Sequence, residues 1–215
     1  MAAPGVHVGV GRPTGTDTML SVVIATHDCE RSLVLTLAPL VAGAAEGVIR
    51  EVVVADAGSR DQTAAIADIA GCRLLLSPES IGVRLRAAIA SARAPWLMIL
   101  RPGVVLEATW TGEVSRFMAE SEAGKGRDAR AAVFRAAQRG NGGPAAMLME
   151  AFGLIRAALG GRPQPDQGLV IPRALYHQIG GYRSDVAFPE SDLLRRLGSR
   201  RIVTLRCAAL SVDRF

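Results

Sequence analysis

The side chains best suited to chemistry stand in short runs that each follow an apolar stretch of strand length: Ala25-Thr26-His27-Asp28, Asp56-Ala57-Gly58-Ser59, Ser77-Pro78 and Arg101-Pro102-Gly103. A carboxylate placed just after a strand can accept from a base imide or a ribose hydroxyl, and glycine lets backbone amides come close to a phosphate. Asp56 and Ser59 would equally make a helix-capping turn with no ligand at all. On spacing alone the turn has the slight edge.

The elements that must carry these runs alternate in the first half of the chain. Leu20–Ala25, Glu51–Ala55, Cys72–Leu76 and Trp96–Leu100 are apolar runs suited to strands buried on both faces. Between them the pattern predicts helices from about Glu30 to Ala45, capped by Asp28, then over TAAIADIA, capped by Ser59 or Asp61 and ended by Gly71, then from Ser80 to Arg93. This order predicts an α/β fold: a mostly parallel sheet of βαβ units. In such a sheet ligands bind beyond the carboxyl ends of the strands, where the strand order reverses.

The second half is less regular. It predicts a helix over Glu107–Ala119, a charged loop over Gly124–Arg130, a strand over Ala131–Ala136 and a Gly140–Gly143 break. A helix over Ala145–Leu159, a strand over Gly168–Ile171, helices at Arg173–Ile179 and Glu190–Leu197, and a strand over Arg201–Leu205 follow.

Composition narrows the partners. The 215 residues are 49% hydrophobic, 4% aromatic and carry a formal charge of +5, and of the 25 basic residues only Lys125 is a lysine. Arginine reads phosphate bidentately, but genome bias accounts for most of the excess. The basic residues are dispersed and the aromatics too few for base stacking, which argues against nucleic acid. Cys29, Cys72 and Cys207 form neither a metal-ligand pattern nor a disulfide framework. No apolar run reaches the ~18 residues of a membrane span. Residues 1–18, with His7, read as a flexible leader, with Met19 an alternative start, and the protein as cytoplasmic, with peripheral membrane contact left open. His177 reads as a surface or packed residue, Met147 and Met149 as helix core, and Arg195, Arg196, Arg200 and Arg201 as a solvated helix end, which could still face diphosphate or anionic lipid.

Taken in order, SVVIATHDCERSLVLTLAPL and EVVVADAGSRDQTAAIA resemble the opening of the family 2 glycosyltransferases, which read S-V-V-I-P-T-Y-N-E and then V-V-V-D-D-G-S-x-D-x-T. SIGVRLRAAIASARAPWLMIL resembles the family's next helix and its Trp-bearing strand. DQGLVIPRALYHQIGGYR and FPESDLLRRL resemble D-Q-G-L-F-V-R-R-x-x-F-x-x-x-G-G-F and M-E-D-x-E-L-x-R-R-L of a small single-domain subgroup. The likeness is collinear from about residue 20 to 215 and weakest between 111 and 165.

The resemblance implies a GT-A fold, with one domain over 19–215. Residues 19–106 would form its nucleotide-binding half and 107–215 its acceptor half. It implies a nucleoside-diphosphate sugar as donor and an acceptor it does not specify. Ala25, Thr26 and His27 would lie near base and ribose, with Asp56 and Gly58 beside them. Gly82 and Arg84 would line the nucleotide pocket, and Arg101 and Gly103 would lie near the phosphates. Asp166 and Gln167 would face the sugar or acceptor region. Glu190 would stand as the general base of inverting transfer, with Asp192 beside it in the catalytic set.

The departures bear on activity. Where the family holds Mn²⁺ or Mg²⁺ with D-x-D, this chain reads Arg101-Pro102-Gly103-Val104, with no carboxylate until Glu107. Arg101 can replace the ion's charge but not its octahedral coordination. The family's Glu-Asp is Pro189-Glu190 here, and a base misplaced by ~1 Å can cost about a hundredfold in rate. Two readings follow: a glycosyltransferase working without a metal, and a catalytically impaired relative that acts as a nucleotide-sugar-binding or interaction module.

Overall fold

The computed structural model describes residues 19–124, 129–137 and 163–212. The leader with His7, most of the 124–130 loop, the Gly140–Gly143 break and the expected 145–159 helix with Met147 and Met149 lie outside the described residues.

Strand β1 (Leu20–Thr26) shows why the apolar runs have no polar face. Val22 and Ile24 enter one buried cluster while Val23 enters another on the opposite side of the sheet. Strand β4 (Trp96–Leu100) does the same, with Trp96, Met98 and Leu100 on one face and Leu97 and Ile99 on the other. Burying each such side chain is worth about 1.5–3 kcal/mol, so these two strands anchor the sheet.

Around them, β2 (Ile49–Asp56) and β3 (Arg73–Leu76) pair in parallel on one side of β1 and β4 on the other. The remaining strands are β5 (Val104–Leu106), β6 (Ala131–Ala137), β7 (Leu169–Pro172) and β8 (Ile202–Ser211). Among the described residues one eight-stranded sheet runs β3-β2-β1-β4-β7-β6-β8-β5, with β7 and β5 antiparallel to their neighbours. One face is covered by α1 (Glu30–Leu37), α2 (Leu40–Ala45), α3 (Thr63–Ile69) and α5 (Trp110–Ala123), and the other by α4 (Ile81–Ser91), α6 (Arg173–Gln178) and α7 (Pro189–Leu197). This is the expected α/β architecture with helices on both faces.

Several expectations are corrected. The helix expected over 30–45 divides at Pro39, which has no N–H to continue the ladder. Asp28 does not cap it: Asp28 has φ 44° and accepts from Arg60 N at 2.7 Å. The amides of Cys29 and Glu30 are met instead by Thr63 Oγ1 and Asp61 Oδ2, both at 3.0 Å. The loops after β1 and β2 are thereby tied into one platform. The helix expected from Glu107 starts at Trp110, because Glu107 exchanges hydrogen bonds with Ala208 of β8 through its amide and its carboxylate. The short β5 pairs with the far end of β8, which extends to Ser211.

Candidate active site

The strand order reverses at β1, since the chain proceeds to β2 and β3 on one side and returns to β4 on the other. The crevice beyond Thr26 and Leu100 is therefore the binding place expected of an open α/β sheet.

At the β1–β2 side, Thr26 is 2% exposed and its hydroxyl donates to Asp56 Oδ1 at 2.7 Å. Asp56 is fully buried and also accepts from Ser59 Oγ at 2.5 Å, Ser59 N at 2.7 Å and Gly58 N at 2.9 Å. Burial raises the Asp56 carboxyl pKa, but the donors from Ser59, Thr26 and Gly58 outweigh it and leave the group below its ordinary value. Each oxygen already serves two donors, so the carboxylate organises the turn and has little left for a base imide. Gly58, at φ 90°, supplies the left-handed residue the turn needs. Ala25 is half-buried, whereas the His27 side chain is 63% exposed at the rim, with Nε2 3.7 Å from Asp28 Oδ2.

Arg84 and Gly82 both make close contacts within the fold. The Arg84 guanidinium is buried and donates through Nη1 to the carbonyls of Thr26 and Ala55, both at 2.7 Å, and through Nε to Glu79 O at 3.1 Å. It clamps the carboxyl ends of β1 and β2. Burial lowers its pKa and the nearby Asp56 charge opposes that shift. At Gly82 a Cβ would lie 2.5 Å from the carbonyl oxygen of Arg183, so the glycine permits close packing of α4 on the loop before α7.

On the β4 side, Arg101 leaves the strand end with its carbonyl accepting from Thr36 Oγ1 at 3.4 Å. Gly103, at φ 85°, donates its amide to Ser32 O at 3.0 Å, so this amide is bound to α1 and not turned to a phosphate. The Arg101 side chain reaches Glu190 in the first turn of α7, 89 residues away in sequence. Nε donates to Oε1 at 3.0 Å and to Oε2 at 2.9 Å, and Nη2 makes a further short contact with Oε2. The Glu190 side chain is 10% exposed and the Arg101 side chain 46%. Glu190 raises the Arg101 pKa further by hydrogen bonding, against the effect of burial.

Beside this pair lies a small recess of about 10 Å³ bounded by Ile99, Gln164, Pro165, Tyr182, Glu190 and Leu194. Asp166 enters the same electrostatic field, and its buried Oδ1 has no hydrogen-bond partner among the described residues. Gln167 is occupied: Oε1 accepts from Gln164 N at 2.7 Å and Nε2 donates to Phe134 O at 2.9 Å. Tyr182 was not singled out in the sequence. It is 2% exposed, burial and the Glu190 charge push its pKa well up, and its amide donates to Tyr176 Oη at 2.9 Å. The Gly180-Gly181 doublet was its signal, since a Cβ at Gly181 would meet the Tyr176 ring at 2.8 Å.

Asp192 faces its own helix. Its carboxylate, 6% exposed, accepts from Arg195 Nη2 at 2.6 Å and Arg196 Nε at 2.8 Å. Arg196 also donates to the carbonyls of Ile179 and Gly181, so it is no solvated helix end, although Arg195, Arg200 and Arg201 are exposed. His177 is exposed against Tyr176, as expected of a surface residue.

The sequence matches no protein-family model and no curated protein. Solved structures, however, superpose over nearly the whole chain. A mannosyltransferase from Pyrobaculum calidifontis, in complex with GDP-Man and Mn²⁺, aligns with a TM-score of 0.69 at 15% identity, over 91% of this chain and 57% of that one. S. aureus TarS residues 1–349 align at 0.63 and 15% identity, over 91% of this chain and 58% of that chain. Glucosyl-3-phosphoglycerate synthase from Mycobacterium tuberculosis, in complex with Mn²⁺, UDP and glucosyl-3-phosphoglycerate, aligns at 0.63 and 17% identity, over 95% and 79%. The chain has the GT-A fold. It spans less than two thirds of the length of the first two structures.

The GT-A frame raises the matter of a divalent ion, and the donor set does not suit one. Among the described residues no group of three or more His, Cys, Asp or Glu side chains is placed to hold a metal. The place after β4 carries a guanidinium, the carboxylate nearest to it is bonded to that guanidinium, and Glu107 is tied to β8. Among the described residues no helix is long and apolar enough to cross a membrane.

Proposed function

We propose that the chain is a GT-A glycosyltransferase that moves a sugar from a nucleoside diphosphate to an acceptor hydroxyl without a metal. The observation that carries this reading is the meeting of Arg101 and Glu190 beyond the carboxyl end of β4. One is a partly exposed cation at a crevice where a diphosphate would lie, and the other a mostly buried carboxylate at the helix start where the family resemblance puts its base. Residues 19–106 then form the donor half, with His27 at its rim, and 107–215 the acceptor half, with Asp166 beside the recess.

In this reaction the acceptor oxygen attacks the anomeric carbon and the bond from that carbon to the diphosphate oxygen breaks. Glu190 takes the acceptor proton, and Arg101 offsets the charge gained by the departing nucleoside diphosphate. Thr26, Asp56, Gly58 and Arg84 hold the strand ends in place, and Asp192 holds Arg196 under the 179–181 turn.

The bidentate hold of Arg101 on Glu190 also favours a second reading, a non-catalytic relative that keeps the fold as a nucleotide-sugar-binding or interaction module. Incubation with a panel of UDP-, GDP- and dTDP-sugars and simple glycoside acceptors, in EDTA, separates the two. Release of nucleoside diphosphate that is lost in Glu190→Gln supports the transferase. Nucleotide binding with no release from any donor supports the binding module.

A further inference from the structure

We infer that Glu190 and the donor diphosphate compete for the same edge of Arg101, so that donor binding itself unmasks the base. This rests on the donor-site reading above and adds to it an order of events.

A guanidinium fork grips one carboxylate or one phosphate bidentately along a given edge. Here Nε and Nη2 both face Glu190, so the edge is filled. A carboxylate bonded in this way has its lone pairs engaged and is a poor acceptor for a hydroxyl proton. The exposures set the direction of the exchange. An anion arriving from solvent meets the Arg101 side chain, 46% exposed, and not Glu190, 10% exposed.

The backbone under Arg101 is fixed, its carbonyl accepting from Val104 N at 3.2 Å and from Thr36 Oγ1 at 3.4 Å. The exchange therefore needs side-chain rotation alone. Nearby amides offer the diphosphate no easy substitute: Gly58 N is on Asp56 and Gly103 N is on Ser32 O. The base is thus held idle until a donor is in place, and acceptor activation follows donor binding.

The test is calorimetric titration of the full chain with UDP, GDP, dTDP and inorganic pyrophosphate, comparing wild type with Glu190→Gln. Removing the competitor raises the fraction of competent Arg101, and Glu190→Gln is expected to bind about tenfold more tightly. The gain should extend to pyrophosphate and vanish when the same change is made in Arg101→Leu, which separates exchange from a general loss of negative charge. Glu190→Ala provides the same comparison if the glutamine variant folds poorly. Equal or weaker binding in both Glu190 variants, with nucleotide still bound, would overturn the exchange and leave the donor site standing. Absence of binding by wild type and every variant would overturn both.

Discussion

Gly82 and Arg183 are in backbone contact: a Cβ on Gly82 would stand 2.5 Å from the Arg183 carbonyl oxygen and 3.3 Å from Pro189 Cβ. The first turn of α4 thereby sets the position of the loop that delivers Glu190. Gly82→Ala cannot be absorbed by a flexible side chain and should destabilise the protein by about 1–3 kcal/mol. Urea unfolding measures it, and an unchanged midpoint would show that the loop does not rest on α4.

The two acidic residues of α7 should separate cleanly by assay. Glu190→Gln should retain the fold and lose turnover by roughly 10²–10⁴-fold, the usual value of a general base. Asp192→Asn should do the reverse, costing about 1–3 kcal/mol through the weakened Arg196 contact while the folded enzyme keeps its turnover. A large fall in kcat with stability unchanged in Asp192→Asn would restore Asp192 to the chemistry.

Thr26→Val tests whether the buried Thr26–Asp56 hydrogen bond is structural. It keeps the shape and removes one of the donors on the carboxylate, at a cost of about 1 kcal/mol. Nucleotide affinity of the folded protein should hardly change. A tenfold loss of affinity without a stability change would mean that Thr26 meets the ligand directly.

The acid limit follows from Asp56 and Asp192. Hydrogen bonds from Arg195 and then Arg196 hold Asp192 below its ordinary pKa, and Ser59, Thr26 and Gly58 hold Asp56 there against burial. Each folded pKa lies beneath the unfolded value of about 3.9, so their stabilisation is complete above that pH and is lost as pH falls through the lowered values. The stability advantage of wild type over Asp192→Asn should be constant from neutral pH to about pH 4 and shrink below it. An advantage that fades already near pH 6 would contradict the assignment.

Much of this architecture was legible because β1 and β4 are buried on both faces and therefore read as unbroken apolar runs. The Asp56…Ser59 segment was legible in its plainer sense, as a turn. Gly82 and Gly103 were not, since a glycine beside a phosphate and a glycine pressed on another backbone look alike in sequence. The Arg101–Glu190 pair was hidden for a different reason. It depends on sheet order bringing the end of β4 against α7 across 89 residues, and no local pattern encodes that distance. β5 is only three residues long and exists by pairing with β8, so no periodicity announced it.

The central claim is a donor site in which Arg101 takes the place of a metal. Calorimetric titration of wild type and Arg101→Leu with UDP, GDP and dTDP, each with and without Mn²⁺, tests it most directly. The account predicts that wild type binds one of these nucleotides in the micromolar range with the same affinity in Mn²⁺ and in EDTA, and that Arg101→Leu, still folded, binds it at least about tenfold more weakly. Binding that requires Mn²⁺ and survives Arg101→Leu would contradict it.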